Sequence, residues 1–86
     1  MNYAEVIEKL ESCKDLNKDP QRLKDYIEVG RNIYLVEHDF EEGKRICTRA
    51  KEIALEKARK TKLPAWYEMY VLSLKYLARH FLDFDS

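Results

Sequence analysis

The sequence predicts an all-α protein, a small antiparallel bundle of about four helices, with a row of repeat-like helical hairpins as a variant of that fold. Apolar residues recur at intervals of three and four along the 86-residue chain, which is the period of a helix with one buried side. Only two glycines and two prolines interrupt the pattern. Charged residues make up 37% of the chain and apolar residues 45%, as is typical of packed amphipathic helices.

The length of the chain predicts one domain, residues 1–86, with a small core. Residues 81–86 are still partly apolar, which is typical of a domain cut from a longer protein or of a terminus docked on a partner. Cys13 and Cys47 are far apart, so we expect no disulfide framework, no zinc site and a reducing, cytoplasmic location. The sequence shows no signal peptide and no apolar run of membrane-spanning length, so we expect no membrane partner.

The first helix is predicted to run from about Asn2 to Leu16. Its apolar stripe consists of Tyr3, Val6, Ile7, Leu10 and Cys13. Cys13 is therefore expected to be a small core residue. The helix ends in the stretch 17–20, where Asp19 can cap free amides of the next helix and Pro20 suits its first position.

The second helix is predicted over Pro20–Glu37, and a glycine lies in the middle of its apolar stripe. The stripe consists of Leu23, Tyr26, Ile27, Gly30, Ile33 and Tyr34, and it is widened by Val29 and Val36. Glycine in a helix interior costs roughly 1 kcal/mol relative to alanine. We therefore expect Gly30 to mark a close crossing with another helix.

The third helix is predicted over Phe40–Lys60, with Asp39 as its cap. Glu42, three residues after Asp39, completes a capping-box pattern. At about 100° per residue, the small and apolar side chains fall within one arc of roughly 140°. That arc contains Ile46, Cys47, Ala50, Ile53, Ala54 and Ala58. We expect it to face the core, with Cys47 as a packing residue and not a nucleophile.

Most of the basic residues of the third helix lie on the opposite side. Residues 44–62 carry eight basic and two acidic side chains, whereas residues 1–43 carry six and eleven, in a chain with zero formal net charge. The candidate contact surface, here called the basic face, consists of Lys44, Arg45, Arg49, Lys51, Arg59, Lys60 and Lys62. It is explained equally by a solvated side compensated by acidic residues such as Glu11, by a protein partner, or by nucleic acid. Because the aromatic residues are not interleaved with the basic ones, nucleic acid ranks below a protein partner.

The fourth helix is predicted to begin at Pro64 and to read as apolar on nearly every side as far as Leu82. Such a helix must be covered by the other helices and also by a second subunit or an adjoining domain. The candidate hydrophobic interface consists of Trp66, Tyr67, Tyr70, Val71, Leu74, Phe81 and Phe84. We therefore expect a protein partner or self-association.

The pattern Asp-Phe-Glu-Glu-Gly at residues 39–43 resembles the hairpin turn of a tetratricopeptide repeat, which opens the second helix of that repeat. Tyr34 and Ala50 stand where the repeat has an aromatic and a small residue, and Gly30 lies one position from its usual glycine. The closing proline of the repeat would fall near Leu55, where this chain has none. The resemblance covers about thirty residues and implies a scaffold that binds other proteins through helix faces.

Residues 81–86, Phe-Leu-Asp-Phe-Asp-Ser, and the helix-rich layout resemble the helical leader that precedes the ATPase in some tailed-phage DNA-packaging (terminase large subunit-like) proteins. This resemblance implies a nucleic-acid-associated helical domain. The sequence has no glycine-rich phosphate loop, so no part of an ATPase engine is expected within it.

No pattern typical of catalysis or of metal binding occurs in the sequence. His80 and Asp83 have a spacing that lets them share a helix face, but a histidine favoured by the helix C-terminus explains His80 more simply. We expect a non-enzymatic interaction or assembly module with no cofactor, metal or small-molecule substrate. A nucleic-acid-associated helical domain is the alternative.

Overall fold

The protein is built from four α-helices joined by short connections. The computed structural model describes residues 2–12 and 14–81, of which 91% are helical and none forms a strand. The helices are α1 (Tyr3–Ser12), α2 (Pro20–Glu37), α3 (Phe40–Thr61) and α4 (Pro64–Tyr76). A 3₁₀ turn (Lys14–Asn17) follows α1, and a π-helical turn (Leu77–Phe81) follows α4. The predicted all-α bundle of about four helices is confirmed.

Helix α3 is the centre of the structure. It packs along α2 on one side and along α4 on the other, whereas α1 packs against α2. The molecule measures 35 × 31 × 14 Å along its principal axes, so it is a flat slab. A slab of this thickness buries only one side of most of its helices, and the outer sides stay open to solvent.

The connection between α2 and α3 is short because both helix ends are capped locally. His38 has φ 59°, the left-handed conformation that ends a helix, and its amide donates to the Tyr34 carbonyl oxygen at 2.9 Å. The Asp39 carboxylate accepts from the Glu42 amide at 3.2 Å, which confirms the predicted cap of α3. The reciprocal half of the capping box is wrong, since the Asp39 amide donates to the Ile33 carbonyl oxygen and the Glu42 carboxylate pairs with Arg45.

The two glycines of the chain lie where α2 and α3 cross. A Cβ on Gly43 would lie 2.7 Å from the backbone oxygen of Gly30, and a Cβ on Gly30 would lie 2.7 Å from the Ile46 side chain. Both distances are too short for real contacts, so the two helices approach this closely only because neither position has a side chain. The expectation that Gly30 marks a close crossing is confirmed.

The buried sides of α2 and α3 agree closely with the predicted stripes. Helix α2 buries Leu23, Tyr26, Ile27, Gly30 and Ile33, and α3 buries Gly43, Ile46, Cys47, Ala50, Ala54 and Ala58. Alanines dominate the second set, because α3 has close neighbours on two sides. The prediction that Val36 widens the α2 stripe is wrong: Val36 is 61% exposed, since it lies on the outer side of the slab.

The predicted first helix, Asn2–Leu16, is shorter than expected. Helix α1 ends at Ser12, whose hydroxyl donates to the Glu8 carbonyl oxygen at 2.8 Å, and the chain continues as the 3₁₀ turn. This tighter turn places Leu16, which is 4% exposed, in the core. The prediction for Cys13 lies outside the described residues.

The fourth helix also changes its winding before its predicted end at Leu82. Regular α-helix stops at Tyr76, and the π-helical turn that follows places Phe81 in the core at 1% exposure. The Phe81 ring lies 5.0 Å from the Tyr34 ring and 5.7 Å from the Phe40 ring, measured between centroids. It also occupies the space that a Cβ on Gly43 would need, at 2.8 Å.

Replacing Gly43 with alanine is expected to lower the free energy of unfolding by about 1–3 kcal/mol. The new Cβ would meet the Gly30 backbone oxygen, so α2 and α3 would have to separate. The matched comparison is Gly30→Ala, whose Cβ meets only side-chain atoms that can shift, and its loss is expected to be smaller. Urea unfolding followed by circular dichroism measures both. A Gly43→Ala protein as stable as the wild type would contradict the crossing.

Candidate interaction surface

Glu11, in the last turn of α1, holds two cations of the basic face. Arg45 donates to its carboxylate through Nη1 at 2.8 Å and Nη2 at 3.2 Å, and Arg49 Nη1 donates at 3.1 Å. The Tyr26 hydroxyl, on α2, donates to the same carboxylate at 2.6 Å. These four residues, here called the Glu11 cluster, join α1, α2 and α3 through one carboxylate.

The pKa directions in the Glu11 cluster follow from these contacts. The pKa of Glu11 is lowered, mainly because Arg45 donates to it, although partial burial opposes the effect. The pKa of Arg45 is raised by the same hydrogen bond. Burial raises the pKa of the Tyr26 hydroxyl, and the neighbouring Glu11 carboxylate raises it further. At neutral pH the cluster therefore holds one carboxylate, two guanidinium groups and a neutral phenol.

The other members of the basic face are distributed around α3. Lys60 Nζ donates to Glu56 Oε1 at 2.8 Å, and Lys44 Nζ lies 5.9 Å from the centroid of the Phe40 ring. Lys51 is half-buried and lies about 200° around the helix axis from Arg49. The remaining two residues, Arg59 and Lys62, are exposed. Compensation by acidic residues is thus confirmed for Arg45 and Arg49, and the basic face is not one continuous positive surface.

A half-open groove of about 520 Å³ lies between the end of α1, the 3₁₀ turn and α3. Its lining includes the cations Lys18, Arg49, Lys57 and Lys60 and the carboxylates Glu11 and Glu56. Because Arg49 and Lys60 are held by these carboxylates, the groove has mixed charge and no strong preference for an anion.

The outward side of α4 exposes a line of large apolar side chains. Leu63 is 54% exposed, Tyr67 43%, Val71 59% and Leu74 39%. Their spacing of four, four and three residues places them within about 80° around the helix axis. These four residues are here called the α4 stripe. A shallow groove of about 660 Å³ runs beside it, lined by Lys62, Pro64, Tyr67, Glu68, Val71, Leu72 and Lys75.

The structure divides the predicted hydrophobic interface into an inner and an outer part. Tyr67, Val71 and Leu74 are exposed as predicted, and Tyr70 is half-buried. Trp66 and Phe81 are 3% and 1% exposed, so both lie in the core and neither is open to a partner. They lie there because α4 turns one side towards α3 and because the π-helical turn rotates Phe81 inwards. Phe84 lies outside the described residues.

Sequence reasoning missed three residues of this surface. Leu63 precedes the helix, where apolar periodicity had not been counted, yet it extends the α4 stripe. Glu68 and Lys75 are exposed and line the groove beside it. Their separation of seven residues, which is two helical turns, is the signal that could have placed both on one edge of the stripe.

The described residues offer little support for catalysis. Among residues 2–12 and 14–81, no group of three or more His, Cys, Asp or Glu side chains is placed to hold a metal ion. Burial raises the pKa of the Cys47 thiol to about 12, which keeps it protonated at neutral pH, as expected for a packing residue. The pKa of His80 is lowered, first by burial and then by Arg31 and Arg79, so the expectation of a favoured positive charge there is wrong. Asp83, the predicted neighbour of His80, lies outside the described residues.

Within the part of the chain that the structure describes, no helix combines the length and the apolar character needed to cross a membrane.

The fold and these surfaces define a small all-α domain with an apolar stripe on the outer side of its last helix. Comparisons of the chain with protein-family models, with curated proteins and with solved structures gave no match. The resemblances to the tetratricopeptide repeat and to the phage DNA-packaging leader therefore stay predictions.

Replacing Glu11 with alanine is expected to lower the free energy of unfolding by about 1–3 kcal/mol, because the Tyr26 hydroxyl and two guanidinium groups lose their shared acceptor. Tyr26→Phe is the control. It removes one hydrogen bond but leaves both arginines paired, so a smaller loss is expected. Urea unfolding of both variants measures the difference, and a Glu11→Ala protein of wild-type stability would show that the cluster contributes nothing.

The contribution of Glu11 to stability is expected to disappear in acid. Because its folded-state pKa lies below the ordinary value of 4.5, the contribution is complete above that value and is lost as the pH falls through the folded-state pKa. Free energies of unfolding of the wild type and of Glu11→Gln, measured from neutral pH to about pH 3, should therefore converge. A difference that stays constant over this range would contradict the pKa direction.

Proposed function

We propose that this chain is a cytoplasmic, non-enzymatic helical module for protein–protein interaction, with the α4 stripe as its contact surface. The observation that carries the proposal is the continuity of the stripe: four large apolar side chains, each 39–59% exposed, follow one side of a single helix. Single exposed apolar residues are ordinary on protein surfaces. A contiguous line of them is typical of an interaction site.

The energetics of burial support the same proposal. Fully burying a leucine or valine side chain contributes about 1.5–3 kcal/mol relative to leaving it exposed. The half-exposed residues of the α4 stripe therefore hold several kcal/mol of unused hydrophobic free energy. A partner helix or a shallow apolar surface can use it without any rearrangement of α4, whose other side is fixed by Trp66 in the core.

The tetratricopeptide resemblance, which we keep as part of the proposal, fits a module of this kind. In such a scaffold, successive antiparallel helices present their outer faces to other proteins. The hairpins α2–α3 and α3–α4, each joined by two residues, agree with that arrangement.

The nucleic-acid alternative has less support. A phosphate backbone is bound by clustered cations that are free to neutralise it. Arg45, Arg49 and Lys60 already contact carboxylates, and the remaining cations of the basic face are scattered around α3. The electrostatic attraction available to DNA or RNA is reduced accordingly.

Val71→Lys is expected to abolish partner binding, because it places a charge in the middle of the α4 stripe. The chain offers a matched control, Val36→Lys, since Val36 on α2 is 61% exposed and Val71 is 59% exposed. Tagged wild type and both variants would be recovered from the cells that naturally make the protein, and co-purified proteins would be quantified by mass spectrometry. Partners retained by the wild type and by Val36→Lys should fall by about tenfold or more with Val71→Lys. Equal recovery with all three proteins would contradict the proposal.

A further inference from the structure

We infer that the partner of the α4 stripe is a second copy of this chain, with the two α4 helices packed antiparallel about a two-fold axis. This inference rests on the proposed function of the α4 stripe as a contact surface. In the pairing, Glu68 of each copy lies beside Lys75 of the other. The symmetry therefore makes the same ion pair twice.

The charges along the α4 stripe have the pattern that a two-fold axis requires. Glu68 and Lys75 are exposed and are separated by two helical turns, so they lie on the same edge of the stripe about 20° apart around the helix axis. Neither residue belongs to any ion pair found between residues 2–12 and 14–81. Both charges are thus available to an incoming surface.

A two-fold interface is self-complementary: if one residue contacts a second across it, the second also contacts the first. The midpoint between Glu68 and Lys75 falls between Val71 and Leu72. An axis through that midpoint brings each glutamate to a lysine, and it leaves Val71 of both copies at the centre of the contact. The most exposed residue of the stripe is then the most deeply covered.

The antiparallel direction follows from the heptad spacing. With Tyr67, Val71 and Leu74 as the apolar positions, Glu68 and Lys75 occupy equivalent flanking positions one heptad apart. Antiparallel helices place these equivalent flanks against each other. Parallel helices place them on opposite sides of the contact, where each faces apolar residues such as Tyr70 and finds no opposite charge.

Two more features favour a second copy over an unrelated partner. The chain has zero formal net charge, so two copies do not repel each other as they approach. The shallow groove of about 660 Å³ is formed almost wholly by α4 itself, so one helix supplies both the ridge and the hollow that receives the same ridge from a second copy.

The size of the contact sets the expected strength of the dimer. Helix α4 has 13 residues and is therefore about 20 Å long. A contact between two helices of this length lies at the small end of specific interfaces. We expect a reversible dimer with a dissociation constant of about micromolar order or weaker.

Sedimentation equilibrium of the full chain over a range of concentrations tests the inference, with four proteins beside the wild type. Glu68→Lys and Lys75→Glu, measured separately, should each dimerise about tenfold more weakly, because two attractive pairs become repulsive. An equimolar mixture of the two should regain wild-type affinity as a heterodimer, and the double variant Glu68→Lys/Lys75→Glu should regain it as a homodimer. Val71→Lys should be monomeric.

The outcomes distinguish this inference from the proposed function. A wild type that stays monomeric at every concentration overturns the second copy as partner. So does a dimer that the charge reversals do not weaken, or one that the mixture does not restore. In each of these cases the proposed function still stands if Val71→Lys, and not Val36→Lys, loses its co-purified proteins. If Val71→Lys changes neither self-association nor partner recovery, both proposals are contradicted.

Discussion

The close approach of α2 and α3 at Gly30 and Gly43 is the constraint on which the other packing depends. The Gly30 backbone oxygen occupies the position that a Cβ on Gly43 would take, so this contact is made by backbone and not by interlocking side chains. On its far side Gly43 leaves room for the Phe81 ring. One missing side chain therefore fixes the distance between two helices and also the position where the last turn of the chain docks.

The outer surface follows from the same arrangement. Since α3 is held closely between α2 and α4, its buried side is made of small residues, and its cations lie at the edges of the slab. Helix α1 closes one edge through Glu11, which takes up part of the basic face. No described helix covers the outer side of α4, and the slab is too thin for the chain to fold over it. The unpaired apolar surface thus lies opposite the region where the cations are compensated.

The sequence was sufficient where the determinants are local. The bounds of α2 and α3 were predicted to within one residue, because Asp19, Pro20 and Asp39 act on neighbouring amides and the apolar period is regular. It was insufficient where distant residues decide. The pairing of Glu11 with Arg45 joins positions 34 apart, and the inward rotation of Phe81 depends on the space beside Gly43. Neither relation leaves a periodic signal, so the basic face was overestimated and Phe81 was placed on the wrong side of α4.

The central claim is that the α4 stripe, and not the basic face, is the contact surface of this protein. Amide chemical shifts in ¹H–¹⁵N spectra recorded over a series of protein concentrations test it most directly. The account predicts concentration-dependent shifts concentrated in residues 63–75, largest around Val71, with the amides near Arg45 and Arg49 unchanged. Shifts that follow the basic face instead, or spectra that do not change with concentration, would contradict it.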